Sequence, residues 1–248
     1  MKTVAVQTSY LTAEETERLP GIRSGSGLEW ILEWRHPAVL EMGKCPQAAR
    51  DVERWLDVAS SSSISLLRVV AGYPSFRGQE PVDLQQRCLA PLMREICSEA
   101  ARRGITIGIE NHANFTPLEL LELIERVGAA NLRAIFDTGN CVRLGADPVL
   151  SARTLAPVTV AVHLKDLVVL PASVGNPLGP WPSAPLGRGS LDIRGVISTL
   201  FSAGFDGCFL LELSPLHTDW TDEGQVIEES LCWLRSLYAS NSASLRRL

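Results

Sequence analysis

A short apolar run that stops at polar side chains is the feature that most constrains how this chain can fold. Residues 105–109 form a β-rich run and are followed directly by Glu110, Asn111 and His112. A run of this length and composition is typical of a strand that is buried on both faces of a parallel sheet. We therefore predict that this strand carries its polar side chains to one rim of a sheet.

The same pattern occurs three more times along the chain. Each later run also ends in a side chain that can bind a metal ion: Asp137 follows residues 134–136, His163 follows 160–162, and Glu212 follows 209–211. Because the carboxyl ends of parallel strands form one edge of an α/β sheet, where such folds place their sites, we expect these four side chains to lie close together.

Strands and helices alternate from residue 64 onward, which predicts a parallel sheet with right-handed crossovers. The predicted strands span residues 64–71, 105–110, 132–137, 158–163 and 208–212. The predicted helices span residues 47–59, 82–103, 116–127, 147–155, 192–203 and 222–238. A long loop rich in proline and glycine, residues 167–189, is placed where a lid or binding loop is common.

The N-terminal part of the chain gives a less regular pattern. Here we predict a strand at residues 3–8, a short helix at 12–18, a flexible loop at 20–27 and a short strand at 38–42, and the pattern at 28–34 fits either a helix or a strand. Eight βα units need roughly 250 residues, at about 30 each. The three units that an eight-strand barrel would still require fit only tightly into the first 63 residues.

The predicted fold is therefore α/β, a (β/α)8 barrel of the TIM type formed by residues 1–248 as a single domain, with a short and incomplete or distorted N-terminal portion. A broken barrel would expose a strand edge and apolar surface. A second copy of the chain or another partner chain could cover this N-terminal side.

Composition excludes several classes of function. The chain has 248 residues, of which 46% are hydrophobic and 21% charged, and its net charge is −5. Its basic residues are scattered, so nucleic acid is not an expected partner. No apolar run approaches the ~20 residues of a membrane-spanning helix, and the N-terminus does not resemble a signal peptide. Six cysteines without a CxxC pair indicate reduced thiols, so we expect a cytoplasmic protein.

The four rim residues predict a particular chemistry. A donor set of three carboxylates and one imidazole is better suited to Mn²⁺, Mg²⁺ or Co²⁺ than to the zinc ion of a thiolate-type site. Zn²⁺ nevertheless stays a candidate for the bound ion. Such an ion polarises a carbonyl and stabilises an enediolate, while two glutamates on opposite sides of the centre can move protons. Any one of these carboxylates could instead cap the next helix. Four metal-binding side chain types in this order along the chain favour a metal site.

Five segments, IGIENHANFT, AIFDTGN, AVHLKD, PLGRGSLD and FLLELSP, resemble the xylose isomerase-like TIM barrel superfamily, and more narrowly its sugar phosphate isomerase/epimerase branch. The resemblance covers about residues 52–238. It implies a barrel that holds one divalent metal ion, with Glu110, Asp137, His163 and Glu212 as ligands. In the ketose 3-epimerases of this family the two metal-bound glutamates are also the acid/base pair, which corresponds to Glu110 and Glu212.

Five residues are candidates for contact with a carbohydrate substrate, namely His112, Asn140, Lys165, Trp181 and Arg188, of which Trp181 and Arg188 are suggested by their place in the long loop. Asn140 stands where the ketose epimerases have a second histidine, a departure that weakens the free-ketose interpretation. His112 could instead orient a metal ligand, and Lys165 could form an ion pair with Asp166 or Glu212. Arg188 could simply be an exposed loop residue, and Trp181 could only anchor a lid.

Three hypotheses for the function follow. The first is a divalent-metal-dependent isomerase or epimerase of a sugar, sugar phosphate or keto-polyol that works through a metal-stabilised enediolate. The second is a dehydratase or lyase of the inosose or dehydroshikimate dehydratase type, which begins with the same proton abstraction. The third is a non-catalytic barrel that binds a ligand or partner.

Overall fold

The computed structural model describes residues 2–170 and 181–245. Nine strands lie in this part of the chain: β1 (Thr3–Gln7), β2 (Glu29–Glu33), β3 (Leu66–Val70), β4 (Thr106–Glu110), β5 (Leu132–Asp137), β6 (Thr159–Leu164), β7 (Asp166–Leu167), β8 (Ser183–Ala184) and β9 (Cys208–Leu211). Eight α-helices accompany them: α1 (Ala13–Ser26), α2 (Pro46–Ser61), α3 (Val82–Arg102), α4 (Pro117–Val127), α5 (Thr138–Val142), α6 (Pro148–Leu155), α7 (Ile193–Ser202) and α8 (Glu223–Leu245).

Seven of the strands form one parallel sheet in the order β1-β2-β3-β4-β5-β6-β9. The sheet curves until β9 approaches β1, but no hydrogen-bonded ladder joins these two strands within the described residues. Strands β7 and β8 form a separate antiparallel pair. The predicted TIM-barrel fold with a short N-terminal portion is thus confirmed, as a nearly closed barrel of seven strands.

The strands and helices predicted from residue 64 onward are confirmed to within a few residues, except that α8 extends further. Local signals explain this accuracy. The α4 helix begins with a capping box, in which Thr116 and Glu119 satisfy each other's backbone N–H groups, and Pro117 occupies its first turn. It ends at Gly128, whose φ of 68° closes the helix in the left-handed conformation.

The prediction of a flexible loop at residues 20–27 was wrong, because α1 continues through Pro20 to Ser26. A capping box between Thr12 and Glu15 starts this helix, and the buried side chain of Leu19 anchors it to the core. Tertiary packing therefore outweighs the unfavourable helix propensity of proline and glycine here. The ambiguous segment at residues 28–34 contains strand β2.

The prediction of a short strand at residues 38–42 was also wrong. This segment forms turns and one turn of 3-10 helix, in which Val39, Glu41 and Met42 have positive φ angles between 44° and 53°. The side chains of Val39 and Met42 are buried, so core packing holds a backbone conformation that is unfavourable outside glycine.

The barrel interior contains an apolar layer that is distinct from the main core. Five inward side chains pack together in this layer: Ile31, Leu66, Ile135, Ala161 and Leu210. The larger core lies between the outer face of the sheet and the helices. Since side chains alternate along a strand, the next inward position on each strand lies two residues further toward the carboxyl end.

A cavity of about 1010 Å³ opens at the amino-terminal end of the strands, between the start of β2 and helix α8. Its lining includes Lys2, Glu29, Thr106, Asp206 and Tyr238. This end of the barrel is opposite to the rim on which the predicted metal ligands lie. None of the helices in the described ranges is long and apolar enough to cross a membrane.

Gly207 lies so close to its neighbours that the addition of a single methyl group should have a large effect on stability. A Cβ atom at Gly207 would overlap the backbone oxygen of Val160, whereas a Cβ at Gly21 in α1 has nothing within 4 Å. We expect Gly207→Ala to lower the free energy of unfolding by about 1–3 kcal/mol because the backbone must shift. Gly21→Ala should raise it by about 0.5–1 kcal/mol because alanine favours a helix. Urea denaturation measures both, and equal stability of the two variants would contradict this packing.

Candidate metal centre

The polar side chains of the site lie directly above the apolar layer inside the barrel. Five strands each place a polar residue two positions after an apolar-layer residue, and these are Glu33, Arg68, Asp137, His163 and Glu212. Glu110 points inward by the same rule, since it pairs in register with the inward residue Ile135. The period of two along each strand therefore creates a ring of charged groups at the carboxyl end of the barrel.

Three of the predicted ligands converge closely. Glu110, Asp137 and His163 each offer a ligand atom, and these atoms all lie within 4.8 Å of one another. Their side chains are almost completely buried, with exposures of 0–2%. Adjacent strands β4, β5 and β6 supply them, so the spacing of a parallel sheet fixes their separation.

Glu212, the fourth predicted ligand, lies just beyond strand β9. Its Oε2 atom is 2.7 Å from Nδ1 of His163. Its side chain is 34% exposed, so it is the one predicted ligand that is accessible from the mouth of the barrel. The structure therefore brings all four predicted ligands together, with Glu212 on the open side.

Two cations balance part of the negative charge. Lys165 donates hydrogen bonds of 3.0 Å to Oδ2 of Asp137 and to Oε1 of Glu212. Arg68, which is buried inside the barrel, forms an ion pair and a hydrogen bond with Oε2 of Glu110. The predicted acidic partner of Lys165 is thus confirmed for Glu212, and Asp137 is a second one.

Asp137 has two different roles. Its Oδ1 atom accepts hydrogen bonds of 2.7 Å from the backbone N–H groups of Gly139 and Asn140, so it caps the short helix α5. Its other oxygen faces Lys165 and the ligand cluster. The helix-capping alternative is therefore correct for one oxygen, while the second oxygen remains directed at the site.

Asn111 fixes the backbone of Asp137 from the neighbouring strand. Its side chain donates to the carbonyl oxygen of Asp137 at 2.9 Å and accepts from the N–H of Asp137 at 2.7 Å. The amide is fully buried, so neither backbone group could turn to water if it were lost.

Burial and charge shift the acidities of the carboxylates in opposite directions. Burial raises the pKa of Asp137, and the nearby charge of Lys165 does not fully offset it. Burial also opposes ionisation of Glu110, but the charges of Arg68, His163 and His112 together outweigh burial and lower the pKa of Glu110. Burial acts likewise on Glu212, yet its contacts with His163 and Lys165 bring its pKa well below the ordinary value.

The basic groups respond to the same surroundings. Burial opposes the charge of Lys165, but Asp137 and Glu212 overcome it and raise the pKa of Lys165. For His163, burial is again outweighed, here by the carboxylates of Glu212 and Glu33, so the pKa of His163 rises well above its ordinary value. The site therefore attracts positive charge strongly.

The donor set fits a divalent ion. Neither nitrogen of His163 nor Oε2 of Glu212 makes a hydrogen bond of normal geometry within the described residues, although all three atoms are buried. The distance of 2.7 Å between Nδ1 of His163 and Oε2 of Glu212 is close to the separation of about 3 Å between adjacent ligands of an octahedral ion with bonds near 2.1 Å. An ion between them would satisfy both atoms.

The charge balance agrees with this fit. Four carboxylates, those of Glu33, Glu110, Asp137 and Glu212, face only two permanent cations, Lys165 and Arg68. With His163 neutral, the ring carries two more negative than positive charges. One divalent cation would neutralise the ring, which is the usual condition for so many buried carboxylates.

Comparison with known proteins identifies the family. A family model described as a xylose isomerase-like TIM barrel matches residues 37–237. The chain belongs to this family. Among curated members, the 2-epi-5-epi-valiolone 7-phosphate 2-epimerase of Actinoplanes sp. (strain ATCC 31044 / CBS 674.73 / SE50/110) is 33% identical over 149 residues. The match covers 59% of this chain and 50% of the epimerase, so the chain spans about half the length of that relative.

Solved structures of xylose isomerase-like barrels have the same fold. A xylose isomerase domain protein from Planctomyces limnophilus superposes with a TM-score of 0.80 at 18% identity, covering 98% of this chain and 89% of that chain. An L-ribulose 3-epimerase superposes with a TM-score of 0.77 at 16% identity, covering 99% of this chain and 87% of that chain. At these identities the likeness establishes the fold.

The residues predicted to contact substrate in this xylose isomerase-like barrel lie at different distances from the cluster of candidate ligands. Asn140 reaches the cluster, because its side chain donates to Oε1 of Glu110 at 2.9 Å. His112 packs against the ring of Tyr73, its buried Nδ1 atom makes no hydrogen bond to a described residue, and burial lowers its pKa. Both are compatible with a role beside the candidate metal ligands.

Arg188 and Trp181 have no described contact with the cluster. The side chain of Arg188 is 66% exposed, and its Nε atom lies 3.9 Å from Glu229 on helix α8. Trp181 is half-buried and donates from Nε1 to the backbone oxygen of Leu170 at 3.2 Å. Residues 171–180 of the predicted binding loop lie outside the described residues.

Two members of the charged ring, Glu33 and Arg68, were not predicted from the sequence. Glu33 ends the apolar run of residues 30–32, so the signal used for the four ligands was present there too. Arg68 lies inside the run of residues 64–71, where no change from apolar to polar residues marks it.

Removing the amide of Asn111 should destabilise the protein. Asn111→Ala leaves the buried N–H and carbonyl oxygen of Asp137 without partners, which we expect to lower the free energy of unfolding by about 2–4 kcal/mol. Gln79→Ala is the matched control, since it removes an exposed amide that makes one hydrogen bond to Ser75, and it should change stability by less than about 0.5 kcal/mol. Chemical denaturation compares the two variants. An Asn111→Ala protein as stable as the wild type would show that the two hydrogen bonds of Asn111 do not support Asp137.

Proposed function

We propose that this chain is a divalent-metal-dependent isomerase or epimerase that acts on a sugar, sugar phosphate or keto-polyol. The convergence of Glu110, Asp137 and His163, with Glu212 beside them, at the carboxyl end of a xylose isomerase-like barrel carries this proposal. The Actinoplanes relative is by name a 2-epimerase of 2-epi-5-epi-valiolone 7-phosphate, which supports the same class of reaction.

In this proposal Glu110, Asp137, His163 and Glu212 hold the ion, with Mn²⁺ as the first candidate and Mg²⁺, Co²⁺ or Zn²⁺ as alternatives. When bound, the ion would polarise a substrate carbonyl and stabilise the negative charge that develops as the adjacent C–H bond loses its proton.

The chain's own residues would move the proton. Glu212 is the best placed base, because it is the one ligand candidate that is accessible from the barrel mouth. Glu110 is the second member of the proposed acid/base pair, although Arg68 and Asn140 occupy its two oxygens. Lys165, which already bridges Asp137 and Glu212, would hold a substrate oxygen, with His112 and Asn140 lining the same end of the barrel.

The wider proposal covers the surroundings of the site. Arg188 and Trp181 stay candidates for contacts with the distal part of the substrate. A homo-oligomer or a partner chain on the N-terminal side, and a cytoplasmic location, also stay proposals. Half-buried strands β1 and β9, next to the gap in the sheet, support a covering partner.

Metal content tests the proposal first. We expect the purified protein to bind about one Mn²⁺ or Co²⁺ per chain. The variants Asp137→Asn and Glu212→Gln should each weaken binding by at least about tenfold, because each removes a charged ligand. Glu14→Gln, which alters an exposed carboxylate on α1, should bind as the wild type does. Isothermal titration measures all four, and a wild-type chain that binds neither ion would refute the metal-dependent function.

Proton exchange tests the reaction. We expect the Mn²⁺-loaded protein to introduce solvent deuterium next to the carbonyl of one compound in a panel of ketoses and keto-polyols, without loss of water. Glu212→Gln should reduce this exchange by about 100-fold or more, as expected for a general base. Mass spectrometry detects both outcomes, and loss of water from the substrate would assign the chain to the dehydratase class instead.

A further inference from the structure

Glu33 lies on the side of His163 that faces away from the other ligand candidates. Its Oε1 atom is 3.0 Å from Nε2 of His163, and its side chain is nearly buried. The opposite ring nitrogen, Nδ1, is 2.7 Å from Glu212 and 3.9 Å from Glu110. The two nitrogens therefore face different carboxylates.

An imidazole that binds a metal ion uses one unprotonated nitrogen and carries a proton on the other. The protonated nitrogen needs an acceptor, and a buried one cannot find it in water. Nδ1 of His163 faces the groups that would share an ion, so Nε2 must carry the proton. Glu33 is the carboxylate within reach of Nε2.

We propose that Glu33 is a positioning residue that accepts a hydrogen bond from Nε2 of His163 and thereby turns Nδ1 toward the metal position. This inference rests on the proposed function of the site. Glu33 itself does not bind the ion, because the two nitrogens of an imidazole point away from each other.

The neighbouring strand places a permanent cation, Arg68, beside Glu33. Glu33 pairs in register with Arg68 across β2 and β3, and both side chains point into the barrel. The guanidinium is buried and supplies positive charge next to this carboxylate. A carboxylate oxygen that faces an imidazole N–H can accept a charge-assisted hydrogen bond from it.

The contact between Glu33 and His163 has the distance of a hydrogen bond but not yet its normal angle. Hydrogen bonds in catalytic centres commonly reach their normal geometry only when a ligand occupies the site. We therefore expect the effect of Glu33 to appear in metal binding, which fixes the ring, rather than in the stability of the metal-free protein.

Cobalt binding tests this role without an activity assay. Wild type, Glu33→Leu and Glu33→Gln are titrated with Co²⁺, and visible absorption reports the affinity and the ligand field. Glu33→Leu should bind Co²⁺ about 10–100-fold more weakly, the range found when a partner of a metal-bound histidine is removed. Glu33→Gln should lose less, because its amide oxygen still accepts from Nε2. Glu29→Gln, on the exposed start of the same strand, is the control and should bind as the wild type does.

A double-mutant cycle separates positioning from direct ligation. If Glu33 acts through His163, adding Glu33→Leu to His163→Ala should cause no further loss of Co²⁺ affinity. Additive losses would overturn the inference and make Glu33 a ligand in its own right. Wild-type affinity in both Glu33→Leu and Glu33→Gln would also overturn it, while leaving the metal centre intact. If Glu33→Leu does not fold, Glu33→Gln alone decides, since positioning predicts a weaker but measurable Co²⁺ site. A wild-type chain that binds no Co²⁺ would instead refute the proposed function.

Discussion

Four carboxylates share a small volume inside the barrel, and the structure must compensate their mutual repulsion. Arg68 and Lys165 do so in part, since each contacts at least one carboxylate directly. Breaking either contact would leave a buried charge without a partner, which is among the most destabilising changes a protein interior can suffer. The folding of the central strands therefore depends on the same ion pairs that set the electrostatics of the site.

The apolar layer below the ring explains how a sheet can tolerate this charge. Residues such as Ile135 and Ala161 fill the barrel one step deeper and separate the charged groups from the other end. Strands β4, β5 and β6 hold Glu110, Asp137 and His163 with almost no freedom, because each strand is paired on both sides. Rigidity in this region comes from backbone hydrogen bonds, whereas selectivity for positive charge comes from the side chains.

Much of this arrangement could be predicted from the sequence. The change from apolar to polar residues at the end of a strand located Glu110, Asp137, His163 and Glu212, because each change coincides with the rim of the sheet. It could not locate Arg68, which interrupts an apolar run and becomes inward-facing only through the alternation of the strand. The contact of Glu33 with His163 was also beyond the sequence, since it depends on how far the sheet curves.

Errors in the N-terminal part have a similar physical cause. Local propensity alone indicates a loop around Pro20 and a strand around Met42, but burial of Leu19 and of Met42 imposes a helix and a left-handed turn. Signals that act within four residues, such as the capping boxes at Thr12 and Thr116, were reliable because they need no tertiary context.

The gap between β1 and β9 gives the site an asymmetry in its dynamics. Glu110, Asp137 and His163 come from strands with two partners, but Glu212 follows β9, which is paired on one side. Strand edges open locally at lower free energy than the centre of a sheet. We therefore expect amide hydrogen exchange to be faster in β9 than in β5, and Glu212 to move relative to the three fixed groups. Breathing of the barrel at its unpaired edge would then open and close the mouth of the site.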